Sequence, residues 1–292
     1  MSTSDSSLSR FLLGLFLSLA VCFGVQAYCY YALESVTGKS ESNYYSTLSR
    51  FQAAATPPAE IAFAGSSIAG RIPGREVGND HIANLGSDGG PALDGMRLIA
   101  MGQIDTPQWL VIEANTLYVG AGYGDSLIIK GAQGSWFDVG ARLPLLGASA
   151  RPSGMLYAKL LRRPKVLKGE AFTVTRNQVD PTVSDPWKDF TEVEKKRFDD
   201  YVATIEKLQQ RGVKILITNY PAGLRPERDQ FLMRTTIAEL TKRFPVTYLD
   251  LEKQIPREEL EFTDSVHLSP ESAARVLKTI RDFCQRENQK TN

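Results

Sequence analysis

The chain has 292 residues, 42% of them hydrophobic and 23% charged, with a formal net charge of +1. That is enough for one large domain or two small ones, and the even charge balance excludes a strong electrostatic draw toward nucleic acid. Three cysteines (Cys22, Cys29 and Cys284) make no recognisable spacing, and two of them lie in an N-terminal apolar run, which argues against a disulfide framework and a cysteine zinc site.

Residues 1–10 are polar and end at Arg10. From Phe11 to Leu33 no charged residue occurs over 23 positions. At about 1.5 Å per residue such a run crosses a hydrocarbon core of roughly 30 Å. Tyr28, Tyr30 and Tyr31 close it with an interfacial aromatic cluster. The run predicts a single transmembrane anchor over 11–33, with 1–10 cytoplasmic and the bulk of the chain on the extracytoplasmic side. Val25-Gln26-Ala27 also resembles a signal-peptide cleavage site. Lipid modification of Cys22 is a weaker candidate, because the large Val21 precedes it. All three alternatives put the main domain beyond the membrane. Length and the lack of a polar face argue against a buried core helix.

Residues 34–58 are polar, with helical spacing from Tyr44 to Ala55, and end at Pro57-Pro58. They are expected to form a juxtamembrane stalk before a domain over 59–292. That domain opens on a short apolar strand, Ile61 to Ala64, running into Gly65-Ser66-Ser67. A second, His81 to Leu85, runs into the glycine-rich Gly86 to Gly90. A helix from Leu93 to Gly102 and a third strand, Trp109 to Glu113, follow, ending at Ala114-Asn115. From about 118 to 186 the pattern is irregular, which predicts an insertion with short elements of its own, a candidate lid or partner surface. Order returns with a helix from Phe190 to Arg211, a strand from Val213 to Thr218, a helix from Pro226 to Phe244, and a strand from Val246 to Asp250. Pro270 to Glu287 is the closing helix, with Ser269 as its N-cap. Strands alternating with helices predict an α/β fold, a three-layer sandwich around a central parallel sheet covered on both faces. Working groups in such sheets gather at the carboxyl ends of the strands.

The chain has two histidines, and His267 stands three residues after Asp264. An imidazole is the commonest general base near neutral pH, and a carboxylate on its other ring nitrogen fixes the tautomer and stabilises the imidazolium. Such a base activates a serine hydroxyl, and the Gly65-Ser66-Ser67 turn exposes two serines at a strand end. A developing oxyanion needs preorganised donors, for which Gly89 offers a backbone N–H and Asn115 a side-chain amide.

With these residues in place, the chain resembles the SGNH hydrolases, or GDSL-type esterases, over roughly Glu60 to Cys284 apart from the insertion. The family's Gly-Asp-Ser motif matches Gly65-Ser66-Ser67, which implies Ser67 as nucleophile, with Ser66 as the alternative because it replaces the motif aspartate. The family's Asn followed five residues later by an oxyanion Gly matches Asn84 and Gly89. Its Gly-x-Asn-Asp matches Glu113-Ala114-Asn115-Thr116 in the Asn alone. Asp-x-x-His-Leu matches Asp264 to Leu268 completely. The resemblance implies a flavodoxin-like α/β fold, a catalytic Ser67–His267–Asp264 triad, an oxyanion hole from Ser67, Gly89 and Asn115, and no metal or organic cofactor. Membrane-anchored relatives of this family add or remove O-acyl groups on cell-envelope polysaccharides, sometimes beside a multi-pass acyltransferase. By analogy this implies an acylated carbohydrate or small ester as substrate and such a membrane protein as partner.

His81, at the amino end of its strand, is expected to be structural or exposed. Arg71 and Arg75 follow the serine turn and are expected to be solvated, an anionic substrate group being the other use open to them. Glu192, Glu194, Asp199 and Asp200, interspersed with Lys195, Lys196 and Arg197, predict a solvated helix face rather than a metal site. The altered first and third motifs also fit a different class, an inactive scaffold that binds a polysaccharide or a membrane partner.

Overall fold

Short apolar runs between glycine- and asparagine-rich turns become strands, and amphipathic runs between them become helices. The computed structural model of the protein describes residues 4–32, 40–117, 126–160, 167–168, 190–221, 227–264 and 266–291. Its strands are β1 (Ile61–Gly65), β2 (Ile82–Gly86), β3 (Trp109–Glu113), β4 (Leu167–Lys168), β5 (Lys214–Asn219), β6 (Thr247–Asp250) and β7 (Glu261–Phe262). Its helices are α1 (Ser4–Ala32), α2 (Asn43–Ala54), α3 (Ala92–Met101), α4 (Leu127–Ala132), α5 (Ser135–Arg142), α6 (Pro152–Leu160), α7 (Glu192–Gln210), α8 (Glu227–Arg243), α9 (Leu251–Gln254) and α10 (Pro270–Thr291).

Five strands form one parallel sheet in the order β2-β1-β3-β5-β6. The fold is therefore α/β with a single apolar helix before it, as the alternation predicts. From β1 the chain steps to β2 on one side and then crosses to β3 on the other. This reversal makes the carboxyl ends of β1 and β3 the topological switch point, where ligand crevices open in such sheets.

The period of two along each strand divides the core into two layers. Ala62, Ala64, Leu110, Ile112, Ile215 and Ile217 face α2, α3, α7 and α8. Ile61, Phe63, Trp109, Val111 and Leu216 face α10 on the other side. Ser269 accepts from the Ser272 N–H at 3.2 Å at the start of α10, as its expected cap. Thr191 and Glu194 close α7 with a reciprocal capping box. Glu192 pairs with Lys195 and Asp200 with Arg97, in keeping with a solvated helix face, but Arg197 of the same run is buried and the expectation fails there.

Cys284 sits in the α10 layer, 2% exposed, and burial first of all pushes its thiol up to about 12. A thiol held protonated and covered is unreactive. N-ethylmaleimide at pH 8 is therefore expected to leave Cys284 unmodified in the native protein and to modify it after denaturation, as read by mass spectrometry. Rapid native modification would show that α10 does not pack as described.

One of these expectations needs correction. The segment 34–58 is not a solvated stalk where it is described, from residue 40 on. Leu48 and Phe51 of α2 are fully buried, and Ser46, Thr47, Ser49, Arg50 and Gln52 are buried with them. The helix looked polar because its polar side chains are spent on specific partners inside the domain. The insertion carries short elements of its own, as expected: it is largely helical between 126 and 160, and it packs on α2. Gln52 Nε2 donates to the Phe137 carbonyl at 3.3 Å, and its Oε1 accepts from the Ala148 N–H at 2.7 Å. The rest of the insertion lies outside the described residues, apart from β4, which pairs antiparallel with β7.

Candidate active site

β1 ends at Gly65, and the chain turns through Ser66 and Ser67 into a 3-10 turn, Ala69–Arg71. Gly86 of β2 lies beside Gly65 in register, and the Ser87 N–H donates to the Gly65 carbonyl at 2.8 Å. A Cβ at Gly86 would collide with the Gly70 backbone, so the glycine allows the serine turn to close against β2. Asn84 fastens the same contact. Its Oδ1 accepts from the Gly86 N–H at 2.9 Å, and its Nδ2 donates to the Ile72 carbonyl at 2.6 Å.

The two serines are held apart by their partners. Ser66 is buried, and its Oγ donates to the Glu113 carboxylate at 2.9 and 3.0 Å. Glu113, the last residue of β3 and fully buried, also accepts the N–H groups of Ser66 at 2.8 Å and Ala69 at 3.2 Å. One carboxylate thus organises the whole turn across the switch point. Ser67 is half-buried, and its Oγ lies 2.8 Å from His267 Nε2.

The imidazole reaches Ser67 from a tight loop 200 residues away in sequence. β7 leads into it, an isolated bridge between Phe262 and Leu268 closes it, and the Thr263 N–H donates to the His267 carbonyl at 2.8 Å. Inside the loop, Asp264 Oδ1 accepts the N–H groups of Val266 and His267, each at 2.8 Å. Asp264 Oδ2 lies 2.7 Å from His267 Nδ1. The three-residue spacing lets one aspartate cap the loop and hold the ring together. A carboxylate against Nδ1 assigns the proton there, so Nε2 accepts from the Ser67 hydroxyl. Partial burial pushes the Asp264 carboxyl up, but the hydrogen bonds from the His267 ring and from the N–H groups of His267 and Val266 outweigh it. The group is held below its ordinary value.

Gly89 lies in the turn after β2, at the same sheet edge, with φ +74°, a backbone conformation that favours glycine. Among the described residues no acceptor takes the N–H of Ser67 or of Gly89. The turn is shaped by α2. Arg50 Nε and Nη2 donate to the Gly86 carbonyl at 3.1 and 2.9 Å, Arg50 pairs with Asp88 at 2.9 Å, and Thr47 Oγ1 accepts the Asp88 N–H at 2.9 Å.

Asn115 is a clamp at the sheet edge. It is buried, and its amide clamps the backbone of Tyr220, donating to that carbonyl at 2.8 Å and accepting that N–H at 2.7 Å. Both amide atoms join the ends of β3 and β5, and the clamp spends one of the two Nδ2 hydrogens. His81 is exposed at the amino end of β2, as expected. Among the described residues no group of three or more His, Cys, Asp or Glu side chains is arranged to hold a metal.

Sequence reasoning missed Glu113 and Arg50. Glu113 stood in view only as a departure from the Gly-x-Asn-Asp pattern. Its signal was an acidic residue ending an otherwise apolar strand, a position that requires buried donors to satisfy it. Arg50 carried a comparable signal, as the lone charge in the helical stretch from Tyr44 to Ala55. Comparison of the chain with protein-family models, characterised proteins and solved structures finds no significant match.

Proposed function

We propose that the protein is a membrane-tethered serine hydrolase or O-acyltransferase of the SGNH type, acting on ester-linked acyl groups of an acylated carbohydrate. The observation that carries this reading is the unbroken row from Ser67 Oγ to His267 Nε2 at 2.8 Å and from His267 Nδ1 to Asp264 at 2.7 Å. As Ser67 Oγ bonds to the acyl carbon, its proton passes to Nε2 and the carbonyl electron pair moves onto oxygen. The N–H groups of Ser67 and Gly89 are the donors for that oxyanion. Asp264 stabilises the imidazolium. The intermediate collapses, the C–O bond of the ester breaks, and His267 returns its proton to the departing alcohol. The acyl-enzyme then passes to water or to a sugar hydroxyl, with His267 again as base.

The tether rests on α1. Ser7 to Ala32 is long and apolar enough to cross a membrane, and its side chains from Phe11 to Val25 are exposed. At about 1.5 Å per residue its 26 residues extend about 39 Å, beyond a core of roughly 30 Å. The far end of α1 meets the insertion, where Gln26 Nε2 donates to the Leu145 carbonyl at 2.6 Å. Leu143, Leu156 and Leu160 stand exposed in that part of the insertion, which suits a headgroup boundary. In this reading the catalytic domain lies on the extracytoplasmic side, where a multi-pass acyltransferase would be the donor partner.

Fluorophosphonate labelling tests the assignment. Ser67→Ala is expected to abolish labelling and Ser66→Ala to retain it, because Ser66 Oγ is committed to Glu113. Persistent labelling of Ser67→Ala, with loss in Ser66→Ala, would move the nucleophile by one residue.

A further inference from the structure

Two arginines follow the nucleophile turn, and they have different fates. Arg75 spends its guanidinium on backbone carbonyls, those of Asp80 at 2.7 Å, Pro58 at 3.1 Å, Ala54 at 3.3 Å and also Pro57. It is a structural tie between α2 and the approach to β1. Arg71 ends the 3-10 turn four residues after Ser67. Its Nε is buried, and among the described residues nothing accepts from it.

The surroundings of Arg71 belong to the candidate site on two sides. The charged groups that act on it are Asp88 and Arg50, from the clamp on the Gly89 turn, and Asp264, from the triad. The turn rides directly on the clamp, since a Cβ at Gly70 would stand 3.3 Å from Asp88 Oδ1 and 3.4 Å from Arg50 Cζ. Both nearby carboxylates are engaged elsewhere, Asp88 by Arg50 at 2.9 Å and Asp264 by His267 at 2.7 Å. Burial pulls the Arg71 guanidinium below its ordinary value, Asp88 and Asp264 raise it, and Arg50 opposes them. An arginine nonetheless keeps its charge in a protein. When His267 takes up the serine proton, Asp264 balances the imidazolium and Asp88 still balances Arg50, so Arg71 is the positive charge left over. A buried guanidinium N–H without an acceptor is destabilising, a cost relieved when a ligand supplies that acceptor.

The geometry points to Arg71 as an anion-binding residue beside the nucleophile, taking a carboxylate or phosphate group carried by the acylated substrate. The guanidinium presents two parallel N–H donors to either group, a fork that lysine cannot reproduce. The substrate class this selects within the proposed hydrolase reading is an O-acylated saccharide that is itself acidic or phosphorylated, rather than a neutral one.

The test is calorimetric titration of the full chain in detergent micelles with inorganic phosphate in one arm and D-glucuronate in the other. At least one anion is expected to bind the wild-type protein. Arg71→Gln is expected to weaken that binding by about tenfold or more, the size of one hydrogen bond to a charged group, and Arg71→Lys to weaken it less. The thermal midpoint of each variant checks that it is folded. If neither anion binds, or if folded Arg71→Gln binds as tightly as wild type, the anion site is overturned. The arm that responds tells phosphate from carboxylate. Turnover of neutral p-nitrophenyl acetate by the wild-type protein reads the hydrolase assignment separately. Arg71-dependent anion binding without turnover removes that assignment and keeps the site, and turnover without anion binding does the reverse.

Discussion

His267→Ala is expected to lower kcat/KM for p-nitrophenyl acetate by about a hundredfold to ten-thousandfold, the usual worth of a positioned general base. At about 1.36 kcal/mol per tenfold this corresponds to roughly 3–5 kcal/mol of lost transition-state stabilisation. Fold stability is expected to change little. The His267 backbone keeps its bonds to Thr263 and Asp264, and the ring is not a core side chain. Added imidazole is expected to restore part of the rate, because the site left by the ring is partly open to solvent. Turnover within a few-fold of wild type would remove the base assignment and favour the inactive scaffold that binds a polysaccharide or a membrane partner.

Glu113→Ala is expected to damage both stability and turnover. The substitution strands the Ser66 N–H, the Ala69 N–H and the Ser66 hydroxyl, all directed at a fully buried carboxylate. An orphaned buried donor costs about 1–3 kcal/mol, so two backbone groups and a hydroxyl together are destabilising by about 3 kcal/mol or more. For a chain of this size that lowers the thermal midpoint by roughly 6–12 °C. Turnover falls as well, because a displacement near 1 Å in a catalytic group can cost on the order of a hundredfold. Ser66→Ala keeps both backbone bonds to the carboxylate and is expected to cost far less, about 1 kcal/mol. If Glu113→Ala melts with wild type, the carboxylate does not hold the turn, and the 3-10 geometry must rest on Gly86 and Asn84.

The two substitutions separate what touches the reaction from what positions it. In the proposed reaction Ser67 and His267 are the groups in contact with reacting atoms. Glu113 and Arg50 act through others, Glu113 by fixing the turn below Ser67 and Arg50 by fixing the turn that carries Gly89. Both positioning residues are ionisable groups inside the domain, and each is held by partners from another element.

The chain pattern by itself carried the strands and their order along the sequence. An apolar run of four to six residues between turn formers is a local signal, as is a helix with a capping box. The Asp264–His267 pair was equally legible, because a loop of three residues brings both groups together with no help from the rest of the fold. Which serine meets the imidazole was not legible from residue chemistry, since Ser66 and Ser67 are chemically identical and adjacent; only the family resemblance implied Ser67, whose Oγ is the one beside His267 Nε2. The choice is made by Glu113, which lies 47 residues from Ser66 in sequence and beside it at the switch point. The same holds for α2, whose polar side chains read as solvated until β2 and the insertion supply their partners, and for Asn115, whose amide is engaged by Tyr220, 105 residues on. Periodicity and short-range spacing suffice for elements and loops because their causes lie within a few residues. The partner of a buried polar group is set by which strand ends the sheet order brings side by side, and only the folded chain decides that.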